Sequence, residues 1–426
     1  MQTTLAPEFA GTADGQAAEA ILRSCVHCGF CTATCPTYQL LGDELDGPRG
    51  RIYLMKQVLE GEPVTRATQL HLDRCLTCRN CESTCPSGVQ YGALVEIGRR
   101  VVEAKVERPR GERTLRWLLK EGLTSPLFAP AMKLGQLARP LLPAALKHKV
   151  PDKAPPQAHR WPTRSHPRKV LMLMGCVQPA MMPNINSATA RVLDAAGLQT
   201  LVAADAGCCG AIRSHLSDHE GGLADMRRNI DAWWPRVTGL GEEGAVEAIV
   251  MNASGCGAMV KDYGHALAHD PAYAEKAARI SALTRDLSEL LPELVAPLQA
   301  LLASRRRRGE TPATVPLAYH PPCTLQHGQQ LRGGVETHLA ALGFDVRTAP
   351  VDSHLCCGSA GTYSVLQPEL ATALRDRKLK ALAPVAADTI VSANIGCIQH
   401  LQSASARPVR HWVEVLDDAL ERAQGR

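Results

Sequence analysis

The sequence predicts an α+β multi-domain protein, in which a helical N-terminal domain and a proline-rich linker precede two repeated α/β domains. Three observations carry this. The 16 cysteines of the 426-residue chain fall into four groups of four, 25/28/31/35, 75/78/81/85, 176/208/209/256 and 323/356/357/397. Prolines crowd residues 122–168 and break any long helical pattern there. After residue 169 three cysteine landmarks recur in the same order, at offsets of 147, 148 and 141 residues. Such steady offsets mark two copies of one domain.

Composition narrows the function classes. At 45% apolar residues the chain can bury two or three separate cores. A formal charge of +5 and only 4% aromatics leave neither an electrostatic footprint nor a stacking surface for nucleic acid, which is not expected as a partner. MQTTLAPEFAGTADGQ has no basic start and no apolar core of a secretory signal, and no later run is long and apolar enough to span a bilayer. The expected compartment is the cytoplasm, where 16 cysteines point to metal binding or redox chemistry rather than disulfides.

The first domain, residues 1–121, carries CVHCGFCTATCP (25–36) and CLTCRNCESTCP (75–86) with identical spacing. Between them Ile52, Met55, Val58 and Leu59 recur at helical intervals, and Ala93 to Lys105 again reads as a helix, so the cysteine loops lie between helices. Three thiolates at intervals of three residues can wrap three corners of a 4Fe-4S cube, while the proline turns the fourth cysteine elsewhere. Structural zinc more often uses two separated CxxC knuckles or mixed Cys/His pairs. The spacing resembles that of two-cluster ferredoxins, where the fourth cysteine of each motif serves the other cluster. That resemblance implies one cluster on Cys25, Cys28, Cys31 and Cys85, and a second on Cys35, Cys75, Cys78 and Cys81. With about 40 residues between the motifs, this half is similar to the helical ferredoxin domains of respiratory dehydrogenases. His27 is a candidate hydrogen-bond donor to cluster sulfur or a plain loop residue; Arg49 and Arg51 offset cluster charge, bind a partner's carboxylate or form ordinary surface pairs.

Residues 122–168 read as a linker whose leucine-rich first half packs across the protein's own domains or lies on a membrane or partner surface. The repeats follow at 169–304 and 312–426, joined by a solvated charge run, RRRRGE (305–310). KVLMLMGC matches VPLAYHPPC, GCCGA matches LCCGSAG, and NASGC matches NIGC. In each copy a β-rich run leads into the first cysteine, a helical segment follows (Ala188–Ala196; Val335–Leu342), and another apolar run leads to CCG. This alternation predicts α/β domains with cysteines at strand ends. Cys176, Cys208, Cys209 and Cys256, and likewise Cys323, Cys356, Cys357 and Cys397, then converge on one site per repeat, for an additional cluster or metal ion. The alternative is a set of inert core cysteines. His320, three residues before Cys323, reads as a core histidine bonded to backbone, with a donor role beside the cysteines as the alternative.

The repeat resembles the CCG domain of heterodisulfide reductases and of hydroxy-acid dehydrogenase iron-sulfur subunits. In the reductase the motif ends in CxxC; here the corresponding segments are CGAM (256–259) and CIQH (397–400), so a final cysteine is missing from both copies. The order of motifs, with YHPPCTLQHGQQLRGGVE (319–336), resembles the iron-sulfur subunits of bacterial glycolate oxidase (glycolate dehydrogenase). The resemblance implies a non-flavin subunit of an oxidoreductase. Glycolate would be oxidised at FAD on partner dehydrogenase subunits, and electrons would leave through this chain toward a membrane quinone or other acceptor, at the cytoplasmic face. Subunits serving D-lactate or glycerol 3-phosphate, and a heterodisulfide reductase-like catalytic subunit, share the motifs. No GxGxxG follows a strand and opens a helix, so flavin or NAD on this chain itself has no support, and no catalytic acid, base or nucleophile is assigned.

Overall fold

The computed structural model describes residues 1–143, 147, 150–240, 244–306 and 316–424. Its first domain is helical. Ala13–Ser24 opens where Thr12 Oγ1 accepts the Gly15 amide at 3.0 Å, satisfying one of the amides that a helix start leaves unpaired. Pro48 begins Pro48–Leu59, where a proline forfeits no helical hydrogen bond. These two helices join Arg66–Asp73 and Tyr91–Lys105 around a core of Leu22, Ile52, Met55, Leu59, Leu72, Leu94 and Val95. Gly98 permits the close approach, since a Cβ there would stand 2.5 Å from Met55 Sδ.

The helix Arg110–Thr124 runs through the expected domain limit at 121/122, because no proline lies between Pro109 and Pro126 to end it sooner. Within the linker a further helix, Phe128–Ala138, tolerates Pro130 in its first turn. Gln136 Nε2 donates to Ala180 O at 3.4 Å, yet Leu127, Leu134, Leu137 and Leu141 stay exposed. Packing across the protein's own domains therefore accounts for only part of this segment.

Two parallel sheets follow. Strands β1 (Arg168–Met172), β2 (Leu198–Leu201), β3 (Ala248–Met251) and β4 (Thr284–Asp286) run in the order β2-β1-β3-β4. Strands β5 (Leu317–Tyr319), β6 (Val346–Thr348), β7 (Thr389–Ser392) and β8 (Val409–His411) repeat it as β6-β5-β7-β8. In the first sheet Val170 and Val250 face one core while Leu171, Ile249 and Met251 face the other, as the twofold period of a strand covered on both sides requires. Val170 pairs with Ala248 as Leu317 pairs with Thr389. In that register Leu173 N donates to Val250 O at 3.4 Å and His320 N to Val391 O at 2.8 Å, so Leu173 and His320 occupy equivalent positions.

The repeats are not separate beads. Pro183–Ala195 of the first packs against Trp412–Gln424 of the second, and Leu287–Arg306 against Gly334–Ala341. Leu193, Leu291 and Leu298 share one core with Leu339, Leu416 and Leu420. Arg191 Nη2 pairs with Asp417 at 2.6 Å across this seam. Leu287–Arg306 carries the chain past the expected limit at 304; residues 307–315, with the rest of the charged connector and the start of the second repeat at 312, lie outside the described residues.

Candidate metal centres

The two CxxCxxC loops follow the same path. His27 and Thr77, third in each loop, have φ of 56° and 52°, and Gly29 and Arg79, fifth, have 84° and 58°. Left-handed residues at these two places curl the chain between successive cysteines. A β-branched Thr77 in that region is strained, a cost borne at a site that needs the curl.

Cys25, Cys28, Cys31 and Cys85 line one cavity, together with Cys81. Cys35, Cys75, Cys78 and Cys81 line a second. The fourth cysteine of each motif thus borders the cavity of the other motif. Pro36 starts the helix Pro36–Leu41 immediately after Cys35 and aims the chain away from its own loop. Pro48, Cys81 and Tyr91 border both cavities and form the wall between them. Each cavity brings four thiols to one roomy space, and His27 Nε2 is buried at the first without a partner among the described residues. This donor set suits a 4Fe-4S cube.

Burial, then the neighbouring Cys25, pushes the Cys31 thiol up to about 11, and burial raises Cys78 and Cys81 further. Cys75 goes the other way: burial opposes ionisation, but the guanidinium groups of Arg51 and Arg99 draw its thiol down. Arg99 Nη2 donates to Leu72 O at 2.7 Å and Cys75 O at 2.6 Å, fixing it under the loop. The two arginines of GPRGR differ sharply. Arg51 is 1% exposed and donates to His71 O at 2.7 Å, Thr37 Oγ1 at 3.1 Å and Asp46 Oδ1 at 3.2 Å. Asp46, also buried, takes a second cation from Arg74 at 2.8 Å. Arg51 is thus no surface pair but a buried cation on the wall of the second cavity. Arg49 is half-exposed at the first cavity and paired with Glu44 at 2.6 Å.

In the second half each quartet comes together. Cys176, Cys208, Cys209 and Cys256 lie close enough that neighbouring thiols dominate one another's ionisation, Cys208 being favoured as the thiolate and Cys176 and Cys209 held as thiols. In the other repeat Cys323 Sγ lies 3.7 Å from Cys356 Sγ, and Cys357 and Cys397 adjoin them, each thiol acting on the next. Cys256 and Cys397 ride the first turns of Ser254–Lys261 and Ile395–Gln402. Burial, with the Cys208 charge, lifts Asp225 to about 6 beside the first quartet. The surroundings of the two sites differ: Cys176 and Cys256 are partly exposed, whereas all four cysteines of the second quartet are buried. His320 corrects its sequence reading, because its ring is not bonded to backbone. Neither ring nitrogen has a hydrogen-bond partner among the described residues, although the residue is 1% exposed.

The helical domain docks by its second cavity. Leu76 and Cys78 pack with Cys323, Cys356 and Tyr363. Tyr363 OH donates to Arg74 O at 3.1 Å, Ser83 Oγ meets His327 Nδ1 at 2.8 Å, and Arg79 reaches Asp262 at 3.2 Å. The second cavity therefore backs onto the second quartet. Neither this contact nor the burial of Arg51 was signalled by motif spacing.

The model of the 4Fe-4S dicluster domain matches residues 21–89, and that of the Cysteine-rich domain matches 170–261 and 317–402. Over 99% of its length the chain is 54% identical to the whole of the Glycolate oxidase iron-sulfur subunit of Escherichia coli. It is 31% identical to the Probable glycolate oxidase iron-sulfur subunit of Bacillus subtilis, over 90% of this chain and 89% of that one. Lactate utilization protein A of Geobacillus thermodenitrificans is 27% identical across 58% of this chain and 98% of its own length.

Proposed function

Because the chain belongs to the family of glycolate oxidase iron-sulfur subunits, we propose that it is the electron-transferring, non-flavin subunit of a glycolate dehydrogenase complex. In this reading glycolate becomes glyoxylate at FAD on partner subunits, and its electrons pass through this chain to a membrane acceptor such as quinone. The observation that carries the reading is the pair of adjacent four-cysteine cavities. Cys25, Cys28, Cys31 and Cys85 hold one 4Fe-4S cluster, and Cys35, Cys75, Cys78 and Cys81 the other. When bound, such a cluster takes up and releases one electron at a time.

The chain's own residues supply position, burial and charge. Cys28 and Val26 are exposed at the first cavity and give it an open face toward a donor. The second cavity lies deeper, against Cys323 and Cys356, with Arg51 and Arg99 countering negative charge and Tyr91 OH 3.7 Å from Cys75 Sγ. The path runs from the open cavity to the buried one and on toward the second repeat, whose quartet, like that of the first repeat, is a further candidate site for a cluster or metal. No helix among the described residues is long and apolar enough to cross a membrane. The exposed Trp117, Leu118, Leu127, Leu134, Leu137 and Leu141 support a peripheral seat on the cytoplasmic face.

Anaerobic purification with iron and sulfide counting tests the clusters, with about eight irons per chain expected from two cubes. Near-zero iron with zinc in its place would sink the reading. Co-purification with the flavin subunits, then assays with glycolate, lactate and glycerol 3-phosphate, decides the substrate.

A further inference from the structure

The two repeats share strand order, register and cysteine quartet, yet differ at one place beside the sulfurs. Leu173 follows directly on β1 in the first repeat and lies in an apolar core. His320 takes the same place after β5, and its nitrogen, Cys357 Sγ and Cys397 Sγ all lie within 4.8 Å of one another. A fully buried imidazole with both nitrogens unpartnered forgoes hydrogen bonds worth about 1–3 kcal/mol. It persists most readily where a ligand supplies the missing partner. Two other histidines near this quartet are already engaged: His400 Nε2 donates to Ala371 O at 3.0 Å, and His327 Nε2 to His354 O at 2.8 Å.

Spacing bears on the ligand. A tetrahedral ion with bonds of about 2.3 Å to sulfur and about 2.0 Å to nitrogen keeps its donors about 3.5–3.8 Å apart. The Cys323–Cys356 separation of 3.7 Å is of that size, and His320, Cys357 and Cys397 each offer a ligand atom within 4.8 Å of the others, close enough for a bound ion to draw them in. Thiolate with imidazole is a ligand set for thiophilic transition metals, iron or zinc.

We propose that His320 is a nitrogen ligand, together with Cys357 and Cys397, of a metal ion in the second repeat, which makes that centre chemically unlike any in the first. The proposal deepens the reading of the second quartet as a metal site and is independent of the two ferredoxin-type clusters. A neutral imidazole beside thiolates also lowers the negative charge at the centre, which for iron would favour the reduced form over that of an all-thiolate site.

The test uses the full chain, purified anaerobically with ¹⁵N-histidine, and its His320→Leu variant, which installs the residue of the first repeat. Metal analysis counts iron and zinc. Pulsed electron paramagnetic resonance reads directly bonded nitrogen on iron, and X-ray absorption at the zinc edge reads imidazole on zinc. Expected are metal beyond the roughly eight irons of two cubes, nitrogen bonded to it, and loss of that nitrogen and of one metal ion in His320→Leu with the cubes retained. Nitrogen on either metal supports the proposal and identifies the ion. Eight irons with no further metal, or a further metal ligated by sulfur alone, overturns it while leaving the electron-transfer reading intact. Iron well below eight would instead strike at the ferredoxin-type clusters. Should His320→Leu not fold, the nitrogen signal of the unmodified chain decides.

Discussion

Replacing Arg51 separates the two ferredoxin-type cavities most cleanly, because its guanidinium lies on the wall of the second cavity alone. Arg51→Met removes one buried positive charge while Arg74 continues to balance Asp46 at 2.8 Å. For a charge on the cavity wall, taking a separation of about 6–8 Å and an effective dielectric of about 20, the interaction is about 2–3 kcal/mol, or about 90–120 mV for one electron. The cluster of the second cavity should fall in potential by that amount, and the other should move far less. Arg51→Lys retains the charge but loses the fork that holds His71 O and Thr37, so potential should stay close to wild type while stability drops. For Arg51→Met the fold should lose about 1–3 kcal/mol, because Asp46 keeps Arg74 while His71 O and Thr37 Oγ1 lose their donor. Redox titration followed by electron paramagnetic resonance measures both potentials. If both clusters keep their potentials in Arg51→Met, or only the other one moves, the charge argument and the assignment of Arg51 to the second cavity both fail.

Three other outcomes are expected. Cys35→Ser should perturb mainly the signal of the cluster on Cys75, Cys78 and Cys81; loss of only the Cys25/Cys28/Cys31 signal would show the fourth ligands to be uncrossed. Burial lowers the His327 pKa from 6.5 to about 4, so its neutral ring, which bridges Ser83 and His354, is fully favoured above pH 6.5. The folded chain should therefore lose stability as pH falls from 6.5 toward 4, by up to about 3 kcal/mol, because the unfolded ring binds the proton more tightly. Hydrogen exchange at the interface should lose that pH dependence in His327→Gln, and an unchanged slope would remove His327 as its cause. Leu134→Glu with Leu137→Glu should reduce flotation with anionic vesicles several-fold without lowering the melting temperature, both residues being exposed; equal flotation would argue against a membrane seat for this helix.

Much of the site was legible because its chemistry is local. Seven residues from Cys25 to Cys31 supply three thiols, and their spacing survives in sequence without knowledge of packing. The duplication was legible too, since Cys176, Cys208 and Cys256 recur with nearly constant offsets. Arg51 was not: in DGPRGR it looks like its neighbour Arg49, and only the closing of Pro48–Leu59 against Arg66–Asp73 buries one and leaves the other half-exposed. The contact of Cys78 with Cys323 and Cys356 joins segments some 250 residues apart and depends on docking that no motif encodes. His320 lay between these extremes. Aligned repeats place it opposite Leu173, but that difference gains meaning only once its ring is found buried and unpartnered.

The helix exchange between the repeats constrains how the protein is made. Pro183–Ala195 leaves the ribosome long before Trp412–Gln424, the helix that covers it. At synthesis rates of about 5–20 residues per second, the apolar face carrying Leu193 waits roughly 10–45 s for its cover. During that interval the nascent first repeat is a substrate for chaperones and proteases. A chain that lacked Trp412–Gln424 would keep that face bare, so the first repeat completes its core only with a helix of the second.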